Sequence, residues 1–232
     1  MIIKNGFYPM GGGSPPGGVA WIQVAADDGR GDAATRLDGG TINATDGAIY
    51  TSYNYNKAVS AMSIFSPVRK NKFDGTWYFE QIGSPPTDYS PLIIPSPANN
   101  QKQKVRFTFN PINAVPHGDP FVINCALRLT DWSNYIVFQY NGTKWQAMVK
   151  STGSVYNTIQ ELVYAAPNYG DYFEFSVTGP DATPTVEIKV NGASILSTTS
   201  SFPVADSSAG SYFGPMPYVY VTHYTDVRWY TA

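Results

Sequence analysis

The segment YFEFSVTGPDATPTVEIKVNGASILS, residues 172–197, constrains the fold of this chain more than any other feature. Phe173, Phe175 and Val177 alternate with polar residues, and residues 185–190 alternate in the same way. Because successive side chains of a strand point to opposite faces, each run predicts a strand with one buried face and one solvated face. The segment therefore predicts a strand–turn–strand–turn–strand unit of an antiparallel sheet.

The charges on this segment select one register for its first two strands. Pairing Val177 with Val186 places Glu174 opposite Lys189, whereas a slip by two residues places Glu174 opposite Glu187. Like charges directly opposite one another destabilise a strand pair. We therefore predict the first register, with GPDATP as the connection.

Two Asn-Gly pairs predict tight turns between strands. Asn191-Gly192 follows the second strand of the segment, and Asn141-Gly142 separates NYIVFQY from KWQAMV. Both residue types tolerate a positive φ, so each pair predicts a type I′ hairpin turn.

Short candidate strands recur along the chain, separated by Gly, Pro, Asn or Asp, and no helical period of useful length is present. They are VAWIQVA, GTWYFEQI, KVRFTFN, FVINCALRL, NYIVFQYN, KWQAMVK, DYFEFSV, TVEIKV, YVYVT and DVRWY. This pattern predicts an all-β antiparallel sandwich of the jelly-roll type. The basic cluster Arg69, Lys70 and Lys72 is interpreted as a solvated loop.

The domain organisation is predicted to be one sandwich with an N-terminal arm. Residues 1–18 contain the tract GGGSPPGG, which can form neither a helix nor a strand ladder and predicts a flexible arm. Residues 19–232 are predicted to form the sandwich domain, which is best supported over residues 105–230.

Composition argues against several classes of function. The formal net charge is −2 and the basic residues are scattered, so we expect no nucleic-acid binding. No apolar run approaches the ~18 residues of a membrane span. The apolar stretch after Met1 is two residues long, so no signal peptide is expected. Cys125 is the only cysteine, and its apolar surroundings predict a buried side chain rather than a disulfide.

Several segments together resemble one known family. They are DWSNYIVFQYNGTKWQAMVK, GDYFEFSVTG, PTVEIKVNGASIL, AGSYFG and TDVRWY. In this order they resemble the concanavalin A-like and laminin G-like jelly-roll domains. That family includes lectins, adhesion modules, glycan-degrading enzymes and phage virion proteins, so the resemblance implies a sandwich and leaves the function open.

Catalysis of the kinds found in that family is not expected. Its glycoside hydrolases resemble one another in an E-x-D-x-x-E or E-x-D-x-E strand, and no glutamate here has such neighbours. The family's lyase pattern is missing too, because neither His117 nor His223 follows a Gln-x pair. No G-x-S-x-G motif is present.

Two sets of residues are candidate sites. Asp27, Asp28 and Asp32 lie among glycines in ADDGRGD, and such oxygen-rich loops can bind calcium, although an acidic solvated loop is the simpler interpretation. No other cofactor is predicted. Aromatic residues near predicted turns are candidate glycan contacts, although most aromatics of a sandwich belong to its core. These candidates are Trp132, Tyr135, Tyr169 and Tyr212.

Our sequence-based interpretation is a non-catalytic phage virion protein: a capsid decoration, head-fibre or tail component with a surface-adhesion role. It would be assembled in the host cytoplasm without a signal peptide and would be located in the virion. Its partners would be other virion proteins, further copies of itself and a host-surface glycan. A lectin-like carbohydrate-binding module is the alternative, and a diverged glycan-cleaving enzyme is a less favoured one.

The virion hypothesis predicts self-assembly through the arm. With aromatics at 15% of residues, the chain has ample Tyr and Trp for an interface, and we expect an oligomer such as a trimer. Light scattering of the full chain and of a variant lacking residues 1–18 tests this. A monomer in both cases would contradict the assembly prediction.

Overall fold

A computed structural model describes most of the sandwich. The described residues are 19–27, 41–43, 49–51, 68–73, 76–81, 93–96, 99–109, 123–131, 133–151, 155–208, 210–216 and 224–232. This part of the chain consists of strands and their connections. Within it, no helix is long and apolar enough to cross a membrane.

Sixteen strands are present in these residues. They are β1 (Ile22–Asp27), β2 (Thr41–Asn43), β3 (Ile49–Thr51), β4 (Val68–Phe73), β5 (Thr76–Gln81), β6 (Ile94–Pro95), β7 (Gln103–Phe109), β8 (Ile123–Asp131), β9 (Asn134–Tyr140), β10 (Trp145–Lys150), β11 (Tyr156–Leu162), β12 (Tyr172–Thr178), β13 (Thr185–Val190), β14 (Ala193–Thr199), β15 (Tyr212–Pro215) and β16 (Tyr224–Thr231).

The strands form two large antiparallel sheets. The eight-stranded sheet has the order β14-β13-β12-β7-β16-β5-β4, and β1 also pairs with β16. The six-stranded sheet has the order β11-β10-β9-β8-β15-β6, while β2 and β3 form a separate pair. The predicted all-β antiparallel sandwich is thereby confirmed.

An aromatic cluster holds the two sheets together. Phe138 and Trp145 come from the six-stranded sheet, and Phe173 and Phe175 come from the eight-stranded sheet. Ring centroids lie 5.3 Å apart for Phe138 and Phe175 and 5.2 Å apart for Trp145 and Phe173. Cys125 is buried in the same core as predicted, and this burial raises the pKa of its thiol well above the ordinary value.

The predicted register of β12 and β13 is confirmed. Val177 pairs with Val186, Glu174 pairs with Lys189, and residues 179–184 form the connection. The turn from β13 to β14 is the two-residue Asn191-Gly192, with φ of 50° and 82°. Those positive values are the ones that a type I′ turn requires.

The second Asn-Gly turn was predicted wrongly. Tyr140 pairs with Trp145, so the β9–β10 loop contains the four residues 141–144. Of the Asn-Gly pair, Gly142 alone has a positive φ, at 93°. The Asn141 side chain explains the longer loop, because its Oδ1 accepts hydrogen bonds from the backbone N–H groups of Thr143 and Lys144.

The loop predicted around the basic cluster is also wrong. Arg69, Lys70 and Lys72 lie on β4, which pairs with β5 along its whole length. Arg69 is opposite Glu80, and this pairing supplies the backbone hydrogen-bond partners that a loop would lack. The arm of residues 1–18 and the predicted strand YVYVT lie outside the described residues.

Arg128 of β8 links the end of the six-stranded sheet to the eight-stranded sheet. Its side chain is fully buried, and its Nε and Nη2 donate to the carbonyl oxygen of Gln101 at 2.9 and 2.6 Å. Nη2 also donates to the carbonyl of Gly179 at 2.5 Å, and Nη1 lies 3.0 Å from Asp181 Oδ1. Burial lowers the pKa of this guanidinium, and Asp181 opposes that shift. Gln101 precedes β7 and Gly179 follows β12, so one side chain fixes both strands.

Replacing Arg128 with Met should lower the free energy of unfolding by about 3–5 kcal/mol, because the carbonyls of Gln101 and Gly179 lose the guanidinium donors and the partly buried Asp181 loses its ion pair. Denaturant unfolding measures this loss. Lys144→Met is the matched control, since it removes a cation from the exposed ion pair with Glu161. It should cost only a small fraction of that amount. Equal losses in the two variants would contradict the structural role of Arg128.

Candidate functional site

The outer face of the eight-stranded sheet carries a charged and aromatic surface, which we call the polar face. It consists of Trp21, Lys104, Arg106, Tyr172, Glu174, Glu187, Lys189, Asp226, Arg228 and Tyr230. One row of this surface crosses four neighbouring strands, because Lys189, Glu174, Arg106 and Arg228 are successive cross-strand partners. In the next row, Lys104 is opposite Tyr230.

Strand alternation places these side chains outside the core. In β7, the residues at 103, 105, 107 and 109 are buried, whereas Lys104 and Arg106 between them are partly exposed. β12 and β16 alternate in phase with β7 because their registers align the charged positions. Since side chains of paired residues point to the same face, the charged groups of three strands gather on one surface.

Lys104 is enclosed by two aromatic rings. Its Nζ lies 4.3 Å from the centroid of the Tyr230 ring and 5.2 Å from that of Trp21, and 4.0 Å from Glu174 Oε1. Burial lowers the pKa of Lys104, the Glu174 carboxylate opposes the shift, and Lys189 and Arg106 reinforce it. Cation–π contacts of this kind hold both the ammonium group and the rings in place.

Arg106 stacks on the ring of Tyr172, with its guanidinium carbon 4.2 Å from the ring centroid. Its Nε is buried and has no hydrogen-bond partner among the described residues. The β13–β14 turn approaches the Tyr172 ring closely, because a Cβ at Gly192 would lie 2.9 Å from the Tyr172 hydroxyl. Gly192 has the positive φ that the turn requires, 82°, and its lack of a side chain leaves room for that hydroxyl.

Arg228 is held by a carboxylate of its own strand. Its Nε and Nη2 both lie 2.9 Å from Asp226 Oδ1, and this hydrogen bonding raises the pKa of the guanidinium. Asp226 has a φ of 49° at an irregularity of β16, and this turns its side chain toward Arg228. Burial raises the pKa of the neighbouring Tyr230 hydroxyl, and Arg228 opposes that rise.

The structure separates the aromatic residues proposed from the sequence. Tyr135 belongs to a second apolar cluster with residues of β8, β9 and β10, and the partly buried Tyr212 packs against that cluster. Tyr135 is 1% exposed, and its hydroxyl lies 3.1 Å from that of Tyr156. Tyr169 lies apart from them, in the turn before β12, and is 68% exposed. Trp132 lies outside the described residues, and the glycan contacts proposed for all four stay predictions.

The calcium prediction is not tested by the structure. Asp28 and Asp32 lie outside the described residues, and Asp27 is described only as the last backbone position of β1. Elsewhere in the described ranges, no three His, Cys, Asp or Glu side chains are grouped so as to hold a metal ion.

Sequence reasoning found the Glu174–Lys189 pair on the solvated face of β12 and β13 but did not identify the polar face as a candidate site, although one local signal was present. Tyr172 and Tyr230 have ionic neighbours two positions away, Glu174 and Arg228. Because residues two apart share a face of a strand, these pairs mark rings on a charged surface. The proximity of an aromatic residue to a turn, which guided the prediction, carries no such information.

The chain is similar in fold to several solved structures. A carbohydrate-binding module, CBM66, from Bacillus subtilis shares 8% identity, with 89% of this chain and 91% of that chain covered and a TM-score of 0.41. Sheep galectin-11 shares 15% identity over 60% of this chain and 96% of its own, with a TM-score of 0.41. A Bacillus subtilis protein of unknown function with a galectin-like fold shares 12% identity over 89% and 94%, with a TM-score of 0.47.

No protein-family model and no curated protein matches the chain. At these identities and TM-scores, no residue role is transferred from the similar structures, and the polar face is interpreted from its own chemistry.

The charges around Lys104 predict a measurable coupling. Replacing Glu174 with Gln should lower the pKa of Lys104 further, because the carboxylate that favours the ammonium form is removed. NMR titration of the Lys104 side chain measures this shift. Glu187→Gln is the matched control, and its effect should be smaller because Glu187 raises this pKa less than Glu174 does. An equal effect of both substitutions would contradict the described geometry.

Proposed function

We propose that this chain is a lectin-like carbohydrate-binding protein that holds a glycan against the polar face without cleaving it. The observation that carries the proposal is the combination of rings and ionic groups on adjacent strands. Tyr230 and Trp21 flank Lys104, and Tyr172 supports Arg106.

The chemistry of this surface matches the chemistry of a sugar. A pyranose ring has an apolar C–H face that packs on aromatic rings and a rim of hydroxyls that needs hydrogen-bond partners. Ionic groups such as Arg106 and Glu174 form hydrogen bonds roughly twice as strong as neutral ones. Neighbouring strands lie about 4.8 Å apart, so one monosaccharide can contact groups from two strands.

Preorganisation supports binding at this surface. The Lys104 ammonium is enclosed by rings, and Arg228 is fixed by Asp226 at 2.9 Å. Groups that are already ordered lose little conformational entropy when a ligand binds, so more of the interaction energy contributes to affinity.

The proposal includes no catalytic step. Glycoside hydrolysis with two carboxyl groups requires one of them as a general acid. The three carboxylates of the polar face each contact a cation: Glu174 with Lys104, Glu187 with Lys189 and Asp226 with Arg228. This arrangement favours binding over proton transfer to a leaving group.

The virion assignment made from the sequence remains a prediction, because the structure of the sandwich does not test whether the protein is part of a phage particle. A decoration, fibre or tail protein with surface adhesion would need a glycan-binding surface of the same kind. The lectin-like function is therefore the part of that hypothesis that the polar face supports.

The test is a glycan array followed by isothermal titration calorimetry with the strongest ligand. We expect Tyr230→Ala to weaken binding about tenfold or more, equivalent to about 1.4 kcal/mol. The reason is that the substitution removes a ring that positions Lys104. Tyr169→Ala is the control, since Tyr169 is an exposed tyrosine outside the polar face, and its affinity should be unchanged. Thermal unfolding verifies that both variants fold.

The opposite result would relocate the site. If Tyr169→Ala abolishes binding and Tyr230→Ala does not, the glycan binds at the turn before β12, as the sequence suggested. If no glycan on the array binds, the proposed function is wrong.

A further inference from the structure

The polar face has one more cation than carboxylates among its described residues. Among its described residues are four cations, Lys104, Arg106, Lys189 and Arg228, and three carboxylates, Glu174, Glu187 and Asp226. The carboxylates pair with Lys104, Lys189 and Arg228, at 4.0, 3.3 and 2.9 Å respectively. Arg106 is therefore the cation of this set without an ion pair of its own, since the carboxylate of its cross-strand partner Glu174 pairs with Lys104.

The surroundings of Arg106 favour an added negative charge. Its cross-strand partners are Arg228 on β16, whose like charge repels it, and Glu174 on β12, whose carboxylate already pairs with Lys104. The contact with Tyr172 uses the flat face of the guanidinium, and the buried Nε has no acceptor among the described residues. The terminal nitrogens of the guanidinium are thus the groups that an external anion would meet.

A guanidinium in this state is suited to one class of partner. Its planar donors match the two oxygens of a carboxylate or the oxygens of a sulfate ester, and such pairs are among the stronger hydrogen bonds in proteins. A neutral hydroxyl would satisfy a donor without reducing the repulsion between Arg106 and Arg228. An anion would do both.

We infer that the glycan recognised at the polar face is acidic, and that its carboxylate or sulfate group binds Arg106 beside Arg228. This inference rests on the proposed function and specifies its ligand. The rings of Tyr230 and Trp21 lie in the neighbouring row, where they can contact the sugar that carries the anionic group.

Three pairs of oligosaccharides test the inference by calorimetry. The pairs are tetragalacturonate and its carboxyl-reduced form, sialyllactose and lactose, and a sulfated galactan oligosaccharide and its desulfated form. We expect the acidic member of at least one pair to bind tenfold or more tightly than its neutral parent, by about 1.4 kcal/mol. The pair that shows this preference identifies the anion as a uronate, a sialate or a sulfate ester.

Substitutions assign the preference to one side chain. Arg106→Gln should weaken binding of the acidic sugar tenfold or more and binding of its neutral parent much less, so that the preference for the acidic sugar is lost. Arg106→Lys keeps the charge without the planar donors and should retain part of the preference. Lys144→Gln removes a cation from the exposed pair with Glu161 and should leave the preference unchanged. Near-ultraviolet circular dichroism verifies the fold of each variant.

The outcomes separate the two proposals. Equal affinity within every pair, or a loss in Arg106→Gln that is the same for acidic and neutral sugars, overturns the inference and leaves glycan binding intact. An absence of binding to any glycan, both here and on the array, overturns both.

Discussion

The buried guanidinium of Arg128 is the polar interaction that fixes the ends of β7 and β12 against β8, in addition to the aromatic cluster that packs the two sheets together. A buried charged group is stable only where its N–H groups have hydrogen-bond acceptors. The acceptors of Arg128 are Asp181 and carbonyl oxygens of the segments next to β7 and β12. Asp181 in turn accepts hydrogen bonds from the Gln101 side chain and the Ser207 backbone, both at 2.8 Å. Because most of these partners are backbone groups or short side chains, the network fixes the ends of β7 and β12 against β8.

Strands β7 and β12 also carry the centre of the polar face. The packing of their inner faces determines how the charged residues of the two strands pair. Phe107 of β7 packs on Phe173 and Phe175 of β12, with centroid separations of 6.1 and 5.5 Å. A slip of one residue would turn those rings outward and bring Arg106 and Glu174 into the core. The register of the charged surface is therefore a consequence of aromatic packing on the other side of the sheet.

The sequence predicted local features of the fold better than nonlocal ones. The β12–β13 register was predictable because Glu174 and Lys189 belong to one hairpin, where few alternative pairings exist. The turn at Asn141 was not, because its side chain can satisfy backbone N–H groups of a longer loop, and this competes with a type I′ turn. β11 (Tyr156–Leu162) was missed because it is an edge strand with a bulge, which leaves it without clear alternation.

Beyond the β12–β13 hairpin, the polar face was missed because β12, β7 and β16 are far apart in the sequence and become neighbours only through nonlocal pairing. Tyr135 shows why aromatic content alone misleads. Its neighbour two positions away on the same face is Val137, and both belong to the apolar cluster. Tyr172 and Tyr230 instead share a face with Glu174 and Arg228. Neighbours at i ± 2 therefore help to separate these rings, because Val137 extends the apolar cluster at Tyr135, whereas Glu174 and Arg228 place Tyr172 and Tyr230 on a charged surface.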